Sequence, residues 1–547
     1  FFDAKHGAAL GHRRLSILDL SEAAHQPAHS HNGRYVMVYN GEVYNFKELR
    51  NQLQQQGHSP FKTQGDTEVI LEAFAAWGPD FVQALNGMFA IAIFDKETGS
   101  LTIWRDRMGI KPLYYRSLPQ QGFACASELK ALRLPEDEVY GEALNAYLHL
   151  GYIPGPDSIW KGVHKLEPGH CLIRSADGSL SIRPWWSIEK AFAGPRLGHE
   201  SEALDTLDAL LQEAVGQRLV SDVPFGTFLS GGVDSSLVTA LAAKHYGPGL
   251  RTFSIAMDTD SHDESAYAEQ VAKALGTHHT TFRIQAKDCF HWVERLPQIY
   301  DEPYGDASAV PSLVVSELAR KQVTMVLTGD GGDELFHGYG AYRWADRLQQ
   351  FPWSWGLARS MASKLFALGP DRYRRVGRLL RRPAKGISPQ AHLFGQEQYF
   401  FLASEVTRLT GSLPSDRVSA WQPPAWLSSA DPATRQAMFD QEAYLPDDLL
   451  VKMDRASMQH SLEARVPLLD YRVVEFAAAL DPKLKRRDGT DKYLLKQVLY
   501  RHLPRELFER PKWGFSIPLN HWLRGGLKEL VQDMVLSESA YSHGLVD

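Results

Sequence analysis

A short run of small residues, 229–236 (LSGGVDSS), constrains the fold of this chain more than any other segment. It follows the apolar stretch 223–229, which is typical of a buried strand, and leads into the apolar stretch 237–244, which is typical of a helix. Backbone N–H groups at a helix start have no intrahelical partner and lie at the positive end of the helix dipole. The segment therefore predicts an anion site suited to a nucleotide pyrophosphate. The Walker pattern GxxxxGK(S/T) is absent, which excludes an ordinary P-loop.

Composition places the chain among ordinary globular enzymes. It has 547 residues, a hydrophobic fraction of 44% and a net charge of −6, so two or more domains with full cores fit. No long basic run and no apolar run of about 18 residues is present, so we predict neither a nucleic-acid partner nor a membrane partner. Cys125, Cys171 and Cys289 lie far apart and form no CxxC pair. They predict no disulfide framework or zinc site and fit a reducing, cytoplasmic location.

The first part of the chain, to about residue 185, shows mainly strand patterns separated by turns. The apolar or alternating runs are 34–39, 89–94, 101–104 and 122–126, with helices predicted at 46–56 and 67–77. These predict layered sheets with a few helices. Residues 184–199 are predicted as a linker.

From residue 201 onward strands and helices alternate. Leu204, Leu207, Leu211 and Val215 share one helical face. The predicted elements that follow are strand 223–229, helix 235–245, strand 251–257, helix 263–275, strand 280–284, helix 309–321 and strand 322–327. This order predicts a parallel sheet covered by helices on both faces, with ligands at the carboxyl ends of its strands. The part from about 340 to 547 is predicted to be mainly helical.

A second glycine-rich loop, 327–336 (LTGDGGDELF), follows the last predicted strand. It places three carboxylates, Asp330, Asp333 and Glu334, within five residues, and such clusters need a cation or a basic ligand among them. Asp234, in the first loop, and Asp333 would leave strand ends of the same sheet. We therefore predict that these two carboxylates hold one Mg²⁺ against a pyrophosphate.

The pair of loops resembles the synthetase domain of the glutamine-hydrolysing asparagine synthetases, an ATP-pyrophosphatase (PP-loop) family. Two further segments support the resemblance, 448–470 (containing DLLVKMDR and SLEARVPLLD) and 489–493 (GTDKY). The resemblance implies that ATP activates a β-carboxylate as its adenylate, that ammonia then attacks, and that AMP and pyrophosphate are released. It places Lys492 where charge develops during the reaction, with Asp330 and Glu334 at the amino-acid end.

The resemblance also implies the ATP-binding residues. These are Leu229, Ser230, Gly231, Gly232, Asp234, Ser235, Ser236, Ile255, Thr328 and Gly329. Lys452 is as consistent with a phosphate contact as with a surface lysine on a helix. Arg465 is as consistent with a functional role as with a buried ion pair.

One departure concerns the acceptor. The shorter asparagine synthetases carry Glu where this chain has Asp330 and Ser where it has Gly332. The shorter Asp330 side chain leaves open whether the acceptor is aspartate or another carboxylate, such as a sugar acid in surface polysaccharide synthesis.

Four motifs in the first part resemble the glutaminase domain of class II glutamine amidotransferases. They are 11–19 (GHRRLSILD), 39–45 (YNGEVYN), 65–68 (GDTE) and 105–112 (RDRMGIKP). The resemblance implies an αββα fold like that of the N-terminal nucleophile hydrolases, and a glutamine pocket. Its residues would be Arg14, Leu15, Ser16, Ile17, Asn40, Gly41, Glu42 and Asp66. Arg14 suits the α-carboxylate, Asp66 the α-ammonium, and Asn40 with the Gly41 N–H an oxyanion hole.

The nucleophile of those glutaminases is an N-terminal Cys, and this chain begins with Phe1. Either the sequence is a fragment or the domain binds glutamine without cleaving it. We expect a fragment, because the binding motifs are intact, and we expect the chain as given to use free ammonia rather than glutamine.

Three hypotheses follow for the whole chain, with predicted domains at 1–190 and 200–547. The first is an asparagine synthetase that uses ATP, Mg²⁺, glutamine and aspartate; a homodimer is compatible with it. The second keeps the chemistry and changes the acceptor carboxylate. The third, a non-catalytic sensor of glutamine or ATP, is disfavoured by the motifs of the second domain.

Overall fold

The structure is a computed structural model. It describes residues 1–547 except 59, 258–263, 351–355, 384, 399–400, 415, 510–518 and 537–547.

The N-terminal part holds eleven of the described strands and four of the described α-helices. The strands are β1 (Phe2–Asp3), β2 (Ala8–Ala9), β3 (Ala28–His29), β4 (Tyr35–Val43), β5 (Gly87–Asp95), β6 (Leu101–Arg105), β7 (Tyr114–Leu118), β8 (Gly122–Ala126), β9 (Val163–Lys165), β10 (His170–Arg174) and β11 (Leu180–Pro184). The helices are α1 (Phe46–Gln55), α2 (Thr67–Trp77), α3 (Gly141–Leu150) and α4 (Glu189–Ala193), with 3-10 turns at Glu22–Ala24, Gly78–Ala84 and Leu129–Leu132.

These elements stack in four layers. A six-stranded antiparallel sheet has the order β11-β10-β6-β5-β4-β3, and a three-stranded sheet has the order β8-β7-β9. Apolar side chains of α1 and α2 pack on the outer face of the larger sheet, while Ala90, Ile103 and Leu113 fill the space between the sheets. Side chains of α3 cover the smaller sheet. The expected αββα arrangement is confirmed.

The C-terminal part contains the remaining described elements. The strands are β12 (Phe225–Phe228), β13 (Arg251–Met257), β14 (His278–Ile284), β15 (Met325–Leu327) and β16 (Glu463–Arg465). The helices are α5 (Glu200–Arg218), α6 (Val233–Tyr246), α7 (Ser265–Leu275), α8 (Ala286–Tyr300), α9 (Ala309–Arg320), α10 (Gly332–Phe336), α11 (Gly340–Gln350), α12 (Gly356–Ala367), α13 (Asp371–Leu379), α14 (Pro389–Gln398), α15 (Ala403–Thr410), α16 (Pro432–Phe439), α17 (Leu450–Met458), α18 (Tyr471–Ala479), α19 (Pro482–Lys485), α20 (Tyr493–Leu499), α21 (Leu519–Arg524) and α22 (Lys528–Val535). Shorter turns lie at Ala425–Leu427, Pro467–Leu469 and Arg505–Leu507, and a π-helix spans Asp440–Leu449.

The five C-terminal strands form one parallel sheet in the order β14-β13-β12-β15-β16. Helices α5, α6 and α20 cover one face, and α9 packs on the other against Phe253, Val326 and Ala464. The chain leaves β12 toward β13 and later returns on the other side of β12 to form β15. This topological switch point is where open α/β sheets bind their ligands.

Most predicted elements are observed, with small shifts in their bounds. The strand predicted at 322–327 begins only at Met325. The elements that were not predicted include strands β7, β9 and β16 and helices α3 and α8. The predicted linker 184–199 contains α4, and its Leu197 pairs with Leu480. The predicted start of helix 263–275 lies partly outside the described residues. No helix among the described residues is long and apolar enough to cross a membrane.

Candidate active sites

The two glycine-rich loops interlock at the switch point. The first follows β12 and the second follows β15, its neighbour in the sheet. A Cβ atom at Gly329 would lie 2.7 Å from the backbone nitrogen of Ser235, and one at Gly332 would lie 2.5 Å from Oδ1 of Asp234. Only glycine allows such close approach, so both loops border one site.

The first loop shapes the start of α6. Gly231 has a φ of +74°, and a Cβ there would lie 2.9 Å from the backbone nitrogen of Ala268. The hydroxyl of Ser230 accepts from the Gly232 N–H at 3.3 Å and lies 3.0 Å from the hydroxyl of Ser235. These contacts fix the helix N-terminus, where an anion is favoured.

Lys492 lies between the carboxylates of the two loops. Its Nζ contacts Oδ2 of Asp234 and lies 2.6 Å from Oδ1 of Asp333. Burial lowers the pKa of this lysine, but the two carboxylates outweigh burial and hold its pKa above the usual value. The structure thus brings together three residues that are up to 258 positions apart in the sequence.

Asp330 and Glu334 lie in the same loop but in different surroundings. Asp330 accepts a hydrogen bond from the hydroxyl of Thr328 at 2.7 Å. Glu334 is buried, and the hydroxyl of Tyr339 donates to its Oε1 at 2.5 Å. Burial, and then the nearby Asp333, raise the pKa of Glu334 to about 7. Tyr339 was not predicted, and its place five residues after Glu334 is the only signal in the sequence.

The other predicted ATP residues lie around the loops. Leu229 is buried directly after β12, and Thr328 donates its N–H to the Arg465 carbonyl at 2.9 Å. Ile255 lies in β13 and packs toward α8 and α9. The Ser236 side chain is fully buried in α6, so its predicted contact with ATP would have to come from the backbone.

Lys452 is a largely buried ion-pair partner rather than a fully exposed residue. Its Nζ lies 2.8 Å from Oδ2 of Asp306. Nearby, burial raises the pKa of Asp448 to about 7, and Asp306 adds to the effect. The surface alternative for Lys452 is therefore wrong, and Asp306 and Asp448 are acidic neighbours that sequence reasoning missed.

Asn40, Gly41 and Glu42 lie within β4, not in a hairpin turn. Gly41 has a φ of +145°, and a Cβ there would lie 2.0 Å from the Met88 carbonyl oxygen. The Asn40 side chain donates to Ser127 at 3.2 Å. The pairing of β4 with β5 therefore positions these three residues.

Asp66 lies at the start of α2, beside that part of β4. Its Oδ2 accepts from the Tyr39 hydroxyl and the Val43 N–H, each at 2.9 Å. Burial raises the pKa of Asp66, and burial together with Asp66 raises the pKa of Glu42. Oε2 of Glu42 is buried and has no hydrogen-bond partner among the described residues. Two adjacent buried carboxylates of this kind favour a cationic ligand group.

The segment 14–17 leads past this pocket. Arg14 donates to the Leu18 carbonyl at 2.5 Å, and its buried Nη1 makes no hydrogen bond to the described part of the chain. Ile17 is buried, and Leu15 packs on the main core; Ser16 is partly exposed. The free Arg14 donor is compatible with a carboxylate ligand.

Buried ion pairs join the two parts of the chain. Arg465 is fully buried, lies 2.7 Å from Glu463 and 3.5 Å from Glu42, and so fits the ion-pair alternative. Lys111 pairs with Asp454 at 2.9 Å. Asp470 pairs with Arg218 at 2.9 Å and accepts from Asn86 at 2.9 Å. Of these interface residues, only Glu42 and Arg465 were singled out from the sequence, because charge pairing across domains leaves no local pattern.

The cysteines are not activated thiols. Cys171 and Cys289 are buried, Cys125 is partly buried, and all three are free. Burial raises the pKa of Cys125 and of Cys289 to about 12. The prediction of no disulfide is consistent with three separate free thiols.

Asp234 and Asp333 are the carboxylates predicted to hold Mg²⁺. No cluster of three or more His, Cys, Asp or Glu side chains in the described ranges has the geometry of a metal site. Two carboxylates within reach of one ammonium group do fit the usual protein share of Mg²⁺ ligands, with substrate phosphates and water supplying the others.

Family comparisons agree with this geometry. The asparagine synthase family matches residues 206–547, and the glutamine amidotransferase domain matches residues 1–186. A Bacillus subtilis protein named glutamine-hydrolysing asparagine synthetase 1 is 32% identical over 99% of this chain and 85% of its own length. A Mycobacterium tuberculosis protein, provisionally named as the same enzyme, is 36% identical over 96% of this chain and 81% of its own. An amidase from Gibberella zeae, chry2, is 27% identical over 100% and 86%.

These matches cover both parts of the chain and include both sets of site motifs. The first part is a glutamine amidotransferase domain and the second is an ATP-using synthetase domain. The chain belongs to the glutamine-hydrolysing asparagine synthetase family of carbon–nitrogen ligases.

Proposed function

We propose that the chain converts aspartate to asparagine through a β-aspartyl-AMP intermediate and releases AMP and pyrophosphate. In the first step a β-carboxylate oxygen attacks the α-phosphorus of ATP and the bond to pyrophosphate breaks. In the second step ammonia attacks the activated carbonyl carbon and AMP leaves. The observation that carries this proposal is the contact between both loops, with Lys492 between Asp234 and Asp333.

The residues divide into two groups around that contact. The N-terminal turn of α6 and the hydroxyls of Ser230 and Ser235 suit the phosphates of ATP, because they supply donors at a helix N-terminus. Mg²⁺ held by Asp234 and Asp333 would neutralise phosphate charge when bound. Lys492 lies beside the same two carboxylates, and we assign it to the negative charge that develops on the transferred group.

Asp330 and Glu334 are assigned to the amino-acid end of the acceptor. An ionised Asp330 would attract the α-ammonium group of aspartate. Glu334 has a pKa of about 7 and can change its protonation near neutral pH, which suits a group that exchanges a proton with the incoming amine. We also propose domains at 1–190 and 200–547 as the units that carry the two half-reactions.

In the N-terminal domain, we assign the α-ammonium of glutamine to Asp66 and Glu42, and its α-carboxylate to Arg14. Two buried carboxylates with raised pKa values and an arginine nitrogen without a partner match the two ends of an amino acid. Asn40 and the Gly41 N–H are assigned to the oxyanion of the amide carbonyl.

The test uses purified protein with ATP, Mg²⁺, ammonium chloride and a panel of carboxylic acids. With aspartate labelled by ¹⁸O in the β-carboxylate, we expect AMP release and transfer of one ¹⁸O to AMP. If AMP is released only with another acid, aspartate is not the acceptor. If the AMP carries no ¹⁸O, the reaction does not pass through the β-aspartyl-AMP intermediate. Asp330→Glu, which adds one methylene, should change the KM for the acceptor more than the KM for ATP.

A further inference from the structure

We propose that a cavity outside both sites binds the phosphate group of a small anionic ligand. The cavity has a volume of about 150 Å³ and lies between α13, α14, α15 and the end of α3. Three arginines, two histidines and a serine contribute the polar part of its lining. They are Arg378, Arg381, Arg382, His149, His392 and Ser404. None of them belongs to the ATP or glutamine residues, so this site does not depend on the proposed reaction.

No carboxylate among the described side chains pairs with the three arginines. Arg378, Arg381 and Arg382 form no ion pair with any residue that the structure describes, although Arg381 donates to Ser363 at 3.4 Å. The surrounding segment 371–385 carries seven basic residues and one acidic residue in a chain of net charge −6. Like charges gathered at one cavity repel each other, and an anion relieves that repulsion.

The acidic residue nearest to this rim along the chain is already engaged. Glu405 lies next to Ser404 and accepts from the Leu402 N–H at 2.7 Å, where it caps the start of α15. The first-turn N–H groups of α15, which starts at Ala403, add to the positive character of the wall. Glu405 thus serves the start of α15 and forms no ion pair with the three arginines in the described part of the chain.

The histidines support the same conclusion. Nε2 of His392 is buried and has no hydrogen-bond partner within the described residues. His149 contacts the Phe401 carbonyl through Nδ1 at 2.9 Å and lines the same cavity. Burial lowers the pKa of His392, and an anion beside it would reverse that effect.

Size and geometry favour a phosphate group. The volume is well above the roughly 10–15 Å³ that a single water needs. Guanidinium forks bind phosphate oxygens in pairs, and a phosphate dianion offsets more of the three positive charges than a carboxylate does. His149 comes from the N-terminal part and the other five side chains from the C-terminal part, so the ligand would bridge both.

The test is calorimetric titration of the full chain with inorganic phosphate and, separately, with glycerol 3-phosphate. A saturating non-hydrolysable ATP analogue is present throughout, so that the loop after β12 is not available to the probe. We expect saturable binding that weakens about tenfold or more in the double variant Arg378→Ala/Arg381→Ala. Both arginines are exposed, so the variant should keep its fold, which near-ultraviolet circular dichroism checks.

Arg375→Ala is the matched control, since Arg375 lies on α13 and does not line the cavity. Its affinity should stay within about twofold of the parent, because it makes no direct contact with the ligand. If glycerol 3-phosphate binds more tightly than inorganic phosphate, the ligand is an organic phosphate. If the two bind equally, the ligand is the free phosphate ion. No saturable binding to the parent chain, or equal losses in the control and the double variant, would overturn the proposal.

Discussion

The synthetase site and the glutamine pocket treat buried negative charge in different ways. In the synthetase site Lys492 lies between Asp234 and Asp333 and offsets part of their charge. In the glutamine pocket burial raises the pKa of both Glu42 and Asp66. Glu42 has Arg465 at 3.5 Å, whereas Asp66 accepts hydrogen bonds from Tyr39 and Val43, which carry no positive charge. The first site contains a cation between its carboxylates, and in the second the substrate's ammonium group is proposed to supply one for Asp66.

The largest expected effect is at Arg465, which links the synthetase domain to the glutamine pocket. Arg465→Met should lower the free energy of unfolding by about 3–5 kcal/mol, because Glu463 and Glu42 would keep buried charge without their cation. Urea unfolding followed by fluorescence measures this. The exposed Arg505→Met is the control, with a change within about 0.5 kcal/mol. A similar loss in both variants would contradict a special role for Arg465.

The next effect tests the synthetase site, which contains its own cation, Lys492. Lys492→Met should reduce ammonia-dependent AMP formation by about 10²–10³-fold, since the positive charge that we assign to the reacting group is lost. The exposed Lys483→Met serves as the control. If AMP formation in Lys492→Met stays within twofold of the parent, Lys492 is a structural ion-pair residue only.

The third effect tests Asp66 in the glutamine pocket. Asp66→Asn should weaken glutamine binding by about 30–100-fold in calorimetry, because the buried carboxylate that we assign to the ammonium group is neutralised. Ammonia-dependent AMP formation should change far less. The exposed Asp80→Asn provides the comparison. Equal glutamine affinity in the parent and in Asp66→Asn would place the ammonium group elsewhere.

The smallest effect concerns Glu334, whose usual pKa of 4.5 is raised to about 7 by burial. The folded chain therefore binds this proton more tightly than the unfolded chain, and stability falls as the pH rises through the window between those values. Glu334→Gln should remove this loss, so its stability relative to the parent should rise from pH 4.5 to pH 8. Urea unfolding at both pH values measures the difference, and a constant gap would contradict the raised pKa.

The sequence was most informative where local patterns repeat or where motifs are dense. Strand β13, helix α2 and strand β8 have the predicted bounds, because period-2 and period-3.6 patterns with clear turn signals are local. Strand β16 was missed because three residues, 463–465, show no period and become a strand only beside β15.

In the sites, too, the loop residues were predicted and several of their partners elsewhere in the chain were not. The phosphate role of the loop around Ser230 was predicted from its own residues, and the role of Asp330 was implied by the family resemblance. The partners that set their electrostatics, such as Tyr339 for Glu334 and Asp306 for Lys452, depend on tertiary packing. Side-chain pairs 146 positions apart carry no local signal, so their pKa values could not be predicted from the sequence.

Arg465 has a consequence for the modularity of the enzyme. Its carbonyl accepts the N–H of Thr328 in the synthetase loop, while its guanidinium faces Glu42 of the glutamine pocket. One residue thus belongs to one module by its main chain and to the other by its side chain. A chimaera that exchanges the amidotransferase domain between relatives must therefore also match the residue that faces position 465, or the two modules will meet with unpaired charge.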